Sequence, residues 1–255
     1  MTRIEKAFAR KAFIPYITAG DPSLEITCDL VLAMAAAGAD VIELGVPFSD
    51  PIADGPVIQR ATERALNHGV TLPKVLQLAK EIRKQSQVPL LLFSYFNPLL
   101  SYGLERLARD AGEAGIDGVL ASDLTVEESE PYRSIMQGAG LDTIFLVAPT
   151  SSPDRLRKIA SASTGFLYAV SRTGVTGEQL ELAADLKEFL GTLRTYTQLP
   201  IAVGFGISTP EQVRAVWQEA DGAIVGSAIV KEIEKHIGKR DLVDRVAAFS
   251  KWLRA

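Results

Sequence analysis

The stretch Leu24-Glu-Ile-Thr-Cys-Asp-Leu-Val-Leu-Ala-Met-Ala-Ala-Ala-Gly-Ala-Asp-Val-Ile-Glu-Leu44 contains the unit from which the chain is built. Its first part, Leu24 to Ala37, has helical periodicity, and Gly38 stands where a left-handed helix cap is expected. Asp40 to Leu44 is a short apolar run typical of a buried strand. Similar turns, Ala-Gly-Ile-Asp at 114–117 and Ala-Gly-Leu at 139–141, follow later helical stretches. The sequence therefore predicts an α/β protein made of repeated helix and strand units.

Eight short runs rich in Val, Ile and aromatic residues alternate with helical stretches to the end of the chain. The predicted strands are Phe13 to Thr18, Asp40 to Leu44, Pro89 to Phe93, Gly118 to Ala121, Thr143 to Val147, Gly165 to Val170, Pro200 to Val203 and Gly222 to Val225. The predicted helices include Leu24 to Ala37, Leu72 to Lys84, Leu104 to Ala114, Glu127 to Gln137, Asp154 to Ala160, Leu186 to Thr195, Pro210 to Glu219 and Asp241 to Leu253. Thr2 and Glu5 have the spacing of a capping box, which predicts a further short N-terminal helix through Phe8.

Eight such units in 255 residues, with no linker-like stretch between them, favour a single-domain (β/α)8 TIM barrel over residues 1–255. The alternative is a doubly wound open sheet. Neither a Gly-x-Gly-x-x-Gly motif after the first strand nor a Walker loop supports that alternative. In barrels the active site lies in the loops after the carboxyl ends of the strands, so the informative residues should follow the predicted strands.

Composition excludes several classes of protein. The chain has 27 Lys and Arg against 31 Asp and Glu, a net charge of −4, and no basic block, so we expect no nucleic-acid partner. The longest uncharged run, 85–104, is interrupted by Pro89 and Pro98 and makes a poor membrane helix. One cysteine, Cys28, cannot form an internal disulfide and is interpreted as a small buried hydrophobic residue. These features predict a cytoplasmic protein without a membrane segment.

The chain has two histidines, His68 and His236, and both are predicted to lie on the surface in or near helices. With Cys28 inside a helix, catalysis by His or Cys and metal sites built from them are disfavoured. We therefore expect no metal and look for the chemistry among carboxylates.

The richest stretch runs from Glu43 to Pro56 and carries three acidic residues. Glu43 lies inside an apolar strand, on the same face as Val41, and so points either into the barrel or toward the helices. Both places exclude water, so the pKa of its carboxyl should rise toward neutrality. Such a carboxyl can both donate and accept a proton. The alternative is a glutamate held by a buried partner. Asp54 follows in a proline-rich loop that can return a second carboxylate to the barrel mouth, whereas Asp50, like any Asp before Pro, can equally be a turn residue.

Three loops with glycines follow the last three strands: Ser171 to Gly177, Gly204 to Gly206, and Gly226 with Ser227 at the start of a helix. Glycines let backbone N–H groups approach an anion, and a helix N-terminus adds a favourable dipole. Because barrels often bind phosphate after strands seven and eight, these loops predict a phosphate site. The residues alone thus indicate a metal-independent barrel enzyme with carboxylate acid/base catalysis on a small phosphorylated substrate. A phosphosugar epimerase or isomerase remains open.

Five motifs carry a resemblance to a known family: Phe13 to Pro22, Glu43 to Pro56, Ser171 to Gly177, Gly204 to Ser208 and Asp221 to Ser227. Together they resemble the tryptophan synthase alpha chain, and the resemblance runs from end to end. It implies a retro-aldol cleavage of indole-3-glycerol phosphate to indole and glyceraldehyde 3-phosphate in tryptophan biosynthesis. It implies no cofactor on this chain.

The resemblance also implies roles for individual residues. Glu43 becomes the catalytic acid and base, Asp54 accepts a hydrogen bond from the indole N–H, and Tyr168 positions the carboxyls. The residues expected to bind phosphate are Gly177, Gly206, Gly226 and Ser227. The residues expected around the indole are Tyr16, Phe93, Tyr95, Leu120, Leu146 and Phe205.

The resemblance further implies a partner, the tryptophan synthase beta chain, in an alpha2beta2 heterotetramer whose beta chain uses pyridoxal phosphate. The residues expected in the lid and the interface are Asp50, Pro51, Arg172 and Thr176. One departure from the family pattern is the segment 178–184 after Gly177, which is more acidic and richer in leucine than expected. Two alternatives stay open, a stand-alone indole-glycerol phosphate lyase and a non-catalytic subunit that activates a beta chain.

Overall fold

A computed structural model describes residues 2–170, 179–204 and 206–255. The strands are β1 (Ala12–Thr18), β2 (Ile42–Gly45), β3 (Leu90–Ser94), β4 (Gly118–Ala121), β5 (Asp142–Thr143), β6 (Leu146–Val147), β7 (Leu167–Val170), β8 (Ile201–Gly204) and β9 (Gly222–Val225). The helices are α1 (Arg3–Ala7), α2 (Leu24–Ala36), α3 (Pro56–Asn67), α4 (Leu72–Arg83), α5 (Phe96–Tyr102), α6 (Leu104–Ala114), α7 (Glu130–Gly138), α8 (Pro153–Ala162), α9 (Gln179–Arg194), α10 (Pro210–Glu219), α11 (Ser227–His236) and α12 (Leu242–Arg254).

All strand pairs are parallel, and the strand order is β5-β4-β3-β2-β1-β9-β8-β7-β6. The two ends of this order, β5 and β6, are separated along the chain only by Ile144 and Phe145. β5 pairs with β4 and β6 pairs with β7, so this segment closes the sheet on itself. The predicted (β/α)8 barrel is confirmed.

The prediction of one continuous fifth strand, Thr143 to Val147, is wrong in one respect: the structure has two short strands there, β5 and β6. The segment changes its hydrogen-bonding neighbour there. Ile144 N donates to Val119 O at 3.2 Å on one side, and Tyr168 N donates to Phe145 O at 3.2 Å on the other. At Ile144 and Phe145, where this change occurs, the segment forms no regular strand ladder with β4 and β7.

Local signals explain the ends of several elements. Thr2 and Glu5 form the predicted capping box at the start of α1. Gly115, in the second of the predicted turns, follows α6 with φ +76°, the left-handed conformation that glycine adopts at least cost. The predicted helix Glu127 to Gln137 is divided into a short 3-10 turn, Val126–Glu128, and α7. α3 and α5 lie outside the predicted helices.

Aspartates just before β2, β4 and β9 fasten the amino-terminal end of the barrel. Asp40 Oδ2 accepts a hydrogen bond from Phe13 N at 2.9 Å, and Asp117 Oδ2 accepts one from Leu90 N at 2.8 Å. Asp221 Oδ2 accepts in the same way from Ile201 N at 3.0 Å. Each carboxylate thus satisfies a backbone donor at the start of a neighbouring strand. This end of the barrel is held by structural contacts, which leaves the opposite end for function.

Apolar side chains form two layers, one between sheet and helices and one inside the barrel. The inner layer consists of Ile4, Ala12, Ile14, Val41, Leu91, Leu120, Ile144, Phe166, Tyr168, Ala202 and Ile224. Phe8, just after α1, packs on Phe166 with ring centroids 5.2 Å apart, so the N-terminal segment covers the lower end of the barrel.

Three expectations about single residues have mixed outcomes. His68 is exposed as predicted, but the surface prediction for His236 is wrong. His236 is buried because α11 turns it toward the protein, and its Nδ1 lies 2.9 Å from the carbonyl oxygen of Glu232. Cys28 is half-buried and packs against the core.

Among the described residues we find no helix of the length and apolar character needed to cross a membrane.

Candidate functional site

A cavity of about 380 Å³ opens at the carboxyl ends of the strands, where the barrel architecture predicts an active site. Its lining includes residues from β1, β2, β3, β6, β7 and β9 and from the loops that follow β2, β4 and β8. The lining residues are Tyr16, Glu43, Ala53, Asp54, Gly55, Pro56, Val57, Ile58, Phe93, Ser122, Leu146, Tyr168, Gly206, Ile207, Ile224, Gly226 and Ser227.

Glu43 lies on β2 and is only 1% exposed. Neither carboxyl oxygen has a hydrogen-bond partner among the described residues. Burial raises the pKa of Glu43 from its ordinary 4.5 to about 8, because the charged form has lost its water. The carboxyl is therefore mostly protonated at neutral pH and close to the range in which it can donate and recover a proton. The alternative in which a buried partner holds Glu43 finds no such partner in the described part of the chain.

Asp54 lies in the loop between β2 and α3 and is half-buried at the cavity. Tyr95 Oη donates a hydrogen bond to its Oδ2 at 3.1 Å, and Gln59 Nε2 donates to its backbone oxygen at 2.8 Å. Burial raises the pKa of Asp54, and the hydrogen bond from Tyr95 opposes that rise. The site thus contains two carboxyls in different surroundings, one with no hydrogen-bond partner in the described ranges and one held by a phenol.

Tyr95 lies just before α5 and touches the loop rather than the cavity. Its Oη accepts a hydrogen bond from Ala53 N at 2.9 Å while it donates to Asp54. Burial, together with the adjacent Asp54, raises the pKa of Tyr95 to about 12, so the phenol stays protonated. The structure thus places Tyr95 as a support for Asp54, whereas the sequence predicted a border of the indole pocket.

Tyr16 and Tyr168 extend into the cavity from β1 and β7. Burial raises the pKa of both phenols, so both remain hydrogen-bond donors at neutral pH. Gly45 and Gly204 make room for these rings. A Cβ added at Gly204 would lie 2.5 Å from Tyr168 Oη, and a Cβ at Gly45 would collide with Tyr16 Oη. Gly45 was not singled out in the sequence, although a glycine that ends an apolar strand is a recognisable signal.

The glycine-bearing side of the cavity includes Gly206, Gly226 and Ser227. Ser227 begins α11, and the first backbone hydrogen bond of this helix runs from Val230 N to Gly226 O at 3.1 Å. The N–H groups of the preceding residues have no acceptor within the helix. An anion at this end of the cavity would meet these donors and the positive end of the helix dipole. The phosphate role of these residues stays a prediction.

The remaining predicted residues fall into three groups. Phe93 and Leu146 line the cavity, but Leu120 is fully buried in the barrel beneath it. Asp50 and Pro51 lie outside the cavity on the same loop as Asp54, and Asp50 Oδ2 accepts a hydrogen bond from Ser49 Oγ at 2.6 Å. The predicted residues that lie outside the described part of the chain are Arg172, Thr176, Gly177 and Phe205.

Several lining residues were missed in the sequence. Val57 and Ile58, on the first turn of α3, and Ile207, after β8, add apolar surface to the wall. Ser122 follows β4 and lines the cavity as well. The signal that could have found Ser122 is its place directly after a predicted strand, the position that barrel active sites favour. Over residues 2–170, 179–204 and 206–255, no group of three or more His, Cys, Asp and Glu residues could hold a metal ion.

A (β/α)8 barrel with a cavity and two carboxyls at the carboxyl ends of its strands defines a class, the barrel enzymes whose active site lies at that end. A family model described as tryptophan synthase alpha chain matches residues 3–254. A tryptophan synthase alpha chain from Solibacter usitatus is 52% identical over 260 residues, covering 100% of this chain and 97% of its own length. The chain belongs to the tryptophan synthase alpha chain family, and its role lies in tryptophan biosynthesis.

Solved structures agree with this assignment. The crystal structure of tryptophan synthase subunit alpha from Legionella pneumophila matches with a TM-score of 0.92 and 39% identity, covering 100% of this chain and 97% of that one. A structure of the tryptophan synthase a2b2 complex from Pyrococcus furiosus, described in terms of mutual activation, matches with a TM-score of 0.89 and 37% identity. That match covers 96% of this chain and 98% of the other.

Proposed function

We propose that the chain is a carbon–carbon lyase that cleaves indole-3-glycerol phosphate into indole and glyceraldehyde 3-phosphate. The observation that carries the proposal is Glu43, a buried carboxyl without a partner among the described residues whose pKa is raised to about 8. A retro-aldol step on an indole needs a group that is protonated at neutral pH, donates its proton to carbon, and then recovers one from oxygen.

The proton transfers balance on this single carboxyl. Glu43 donates its proton to indole C3, and the ring becomes a cation with its charge on nitrogen. Glu43, now a carboxylate, takes the proton from the hydroxyl on the carbon attached to C3. That carbon becomes the aldehyde, the bond to C3 breaks, and its electron pair returns to the ring. Indole leaves neutral, and Glu43 ends the step protonated, as it began.

Asp54 serves the cationic state of the ring. Its carboxylate accepts a hydrogen bond from the indole N–H, and this bond strengthens as positive charge develops on the nitrogen. Tyr95 keeps Asp54 at the cavity and favours its charged form through the 3.1 Å hydrogen bond. Each carboxyl thus has the environment that its role requires, dry for Glu43 and hydrogen-bonded for Asp54.

The strand order gives a direction to the bound substrate. Gly206, Gly226 and Ser227 follow β8 and β9, whereas Phe93 and Leu146 lie on β3 and β6. β1 and β2 lie between β9 and β3 in the barrel, so Glu43 stands between the glycine side and the apolar side. A substrate with its phosphate at the glycines and its ring against the apolar wall presents the scissile bond to Glu43.

We further propose that the chain works with a tryptophan synthase beta chain in an alpha2beta2 heterotetramer. The Pyrococcus furiosus relative is described in such a complex, with mutual activation. In this chain, the loop that carries Asp54 also carries Asp50, Pro51 and Ile52 outside the cavity. Pro51 is half-buried, whereas Asp50 is exposed and Ile52 is 86% exposed. A partner that binds this loop would bias the position of Asp54, which gives a physical route to activation. A cytoplasmic location and the lid roles of Arg172 and Thr176 stay predictions.

The test is indole release from indole-3-glycerol phosphate by the isolated chain, over a titration with a beta chain. We expect slow release alone and faster release with the partner. Full-rate release that ignores the beta chain would instead support a stand-alone lyase. No release under either condition, with the beta chain still activated, would support a non-catalytic subunit. The Glu43→Gln variant is the control, since an amide cannot exchange the proton.

A further inference from the structure

Ser122 lies directly after β4 and lines the cavity, yet the chemistry above does not use it. Side chains alternate along a strand, so Ser122 shares its face with Leu120, which belongs to the inner layer of the barrel. The backbone of Ser122 is held in place because its N–H donates to Ser94 O at 2.8 Å. This hydrogen bond extends the β3–β4 ladder by one residue, so the sheet positions the backbone of Ser122.

The hydroxyl of Ser122 is buried and has no hydrogen-bond partner in the part of the chain that the structure describes. The carboxylate of the neighbouring Asp123 accepts a hydrogen bond from Phe96 N at 2.6 Å and is not paired with this hydroxyl. A buried hydroxyl without a partner is costly, and most such groups in folded proteins are satisfied. An unsatisfied one at the edge of a cavity is suited to a polar atom that a ligand brings.

The barrel order locates Ser122 relative to the proposed phosphate site. With β5 and β6 taken as one strand, β4 and β9 are four strands apart in both directions around the barrel. Ser122 therefore faces Gly226 across the mouth. Phe93 on β3 and Leu146 on β6 flank it, so Ser122 belongs to the wall of the apolar half of the cavity. A ligand with its phosphate at Gly226 directs the far edge of its ring toward Ser122.

We propose that Ser122 determines ring specificity: its hydroxyl pairs with a hydroxyl or amino substituent on the ring edge remote from the phosphate. The chain should then prefer indole-glycerol phosphates that carry such a group at ring position 5 or 6 over analogues with an apolar group of equal size. This inference rests on the proposed function, because it takes the orientation of the substrate from it.

The experiment measures kcat/KM for indole-glycerol phosphate and for its 5- and 6-hydroxy and 5- and 6-methyl analogues. A hydroxyl and a methyl group are similar in size. The ratio of kcat/KM for the hydroxy analogue to kcat/KM for the methyl analogue at one ring position therefore isolates the hydrogen bond. We expect the wild type to prefer the hydroxy analogue at one position, and Ser122→Ala to lower that ratio about tenfold, the value of one ordinary hydrogen bond. Ser227→Ala is the matched control on the phosphate side, and it should slow both analogues alike and leave the ratio unchanged.

The outcomes separate the inference from the function on which it rests. A wild type that cleaves indole-glycerol phosphate but has the same hydroxy-to-methyl ratio as Ser122→Ala overturns the inference alone. A wild type that cleaves none of these compounds overturns the proposed function and the inference with it. Should Ser122→Ala fold poorly, Ser122→Thr and Ser122→Val form an isosteric pair, of which only the Thr variant should keep the preference.

Discussion

Replacing Glu43 by Gln should make the protein more stable while it abolishes the proposed cleavage. Gln has nearly the shape of Glu, and neither carboxyl oxygen of Glu43 has a hydrogen-bond partner to lose among the described residues. The carboxyl is 1% exposed, and its pKa is raised from 4.5 to about 8 because burial penalises the charged form. The wild type therefore carries a cost of burial that an uncharged amide avoids.

The cost depends on pH in a defined direction. Between pH 4.5 and about 8 the folded protein keeps the proton of Glu43, whereas the unfolded chain has lost it. Folding then takes up a proton, so the free energy of unfolding falls as the pH rises. The loss is about 1.4 kcal/mol for each pH step, which amounts to roughly 3 kcal/mol at pH 7 and about 5 kcal/mol above pH 8. Near pH 4 the two proteins should have similar stability.

The measurement is the melting temperature of wild type and Glu43→Gln from pH 4 to pH 9. At pH 7 the variant should melt roughly 6 to 12 °C higher, using about 2–4 °C per kcal/mol for a chain of this length. The difference in melting temperature between the two proteins at each pH cancels the contribution of the other titrating groups. Glu63→Gln, on the exposed side of α3, is the control for replacing a glutamate by glutamine. A difference that stays constant from pH 5 to pH 8 would refute the raised pKa and with it the protonated starting state of Glu43.

Three further changes test the supports of the site. Tyr95→Phe removes the donor to Asp54 and should lower kcat/KM for indole release about tenfold; an unchanged kcat/KM would mean that Asp54 needs no support. Gly204→Ala places a Cβ 2.5 Å from Tyr168 Oη and should cost about 1–3 kcal/mol in urea unfolding, so an unshifted midpoint contradicts the packing argument. At Gly226 an added Cβ would have its nearest heavy atom at 3.6 Å, so Gly226→Asp should fold. Its carboxylate should weaken the binding of glyceraldehyde 3-phosphate, measured by calorimetric titration, and leave the binding of indole unchanged. If the variant binds glyceraldehyde 3-phosphate as tightly as the wild type, the phosphate does not bind at this loop.

Much of the fold could be predicted because its signals are local. The capping box of Thr2 and Glu5, the glycine at 115 and the apolar runs each depend on residues within one turn or one strand of each other. The error in the fifth strand falls where neighbours distant in the chain intervene. The segment from Thr143 to Val147 is apolar throughout, but it is interrupted where its hydrogen bonds pass from β4 to β7. Nothing within those five residues records that change.

The site divides in the same way. Alternation along β2 placed Glu43 on the face of Val41, and burial was certain on either face, so the direction of its pKa shift followed without a structure. Whether Glu43 has a hydrogen-bond partner on that face depends on side chains from other strands, which the sequence pattern does not place. The role of Tyr95 also needed three dimensions, because its hydroxyl reaches Asp54 across 41 positions of the chain.

Residue types and their spacing along the chain thus determined the alternating elements, the barrel and the place of the Glu43 to Pro56 stretch at the carboxyl ends of the strands. The closing segment, the support of Asp54 and the buried hydroxyl of Ser122 became evident once the strands were arranged around the barrel. The physical reason is range. Backbone propensity, capping and periodicity act over a few residues, whereas hydrogen-bond pairing and burial depend on which distant side chains the closed sheet brings together.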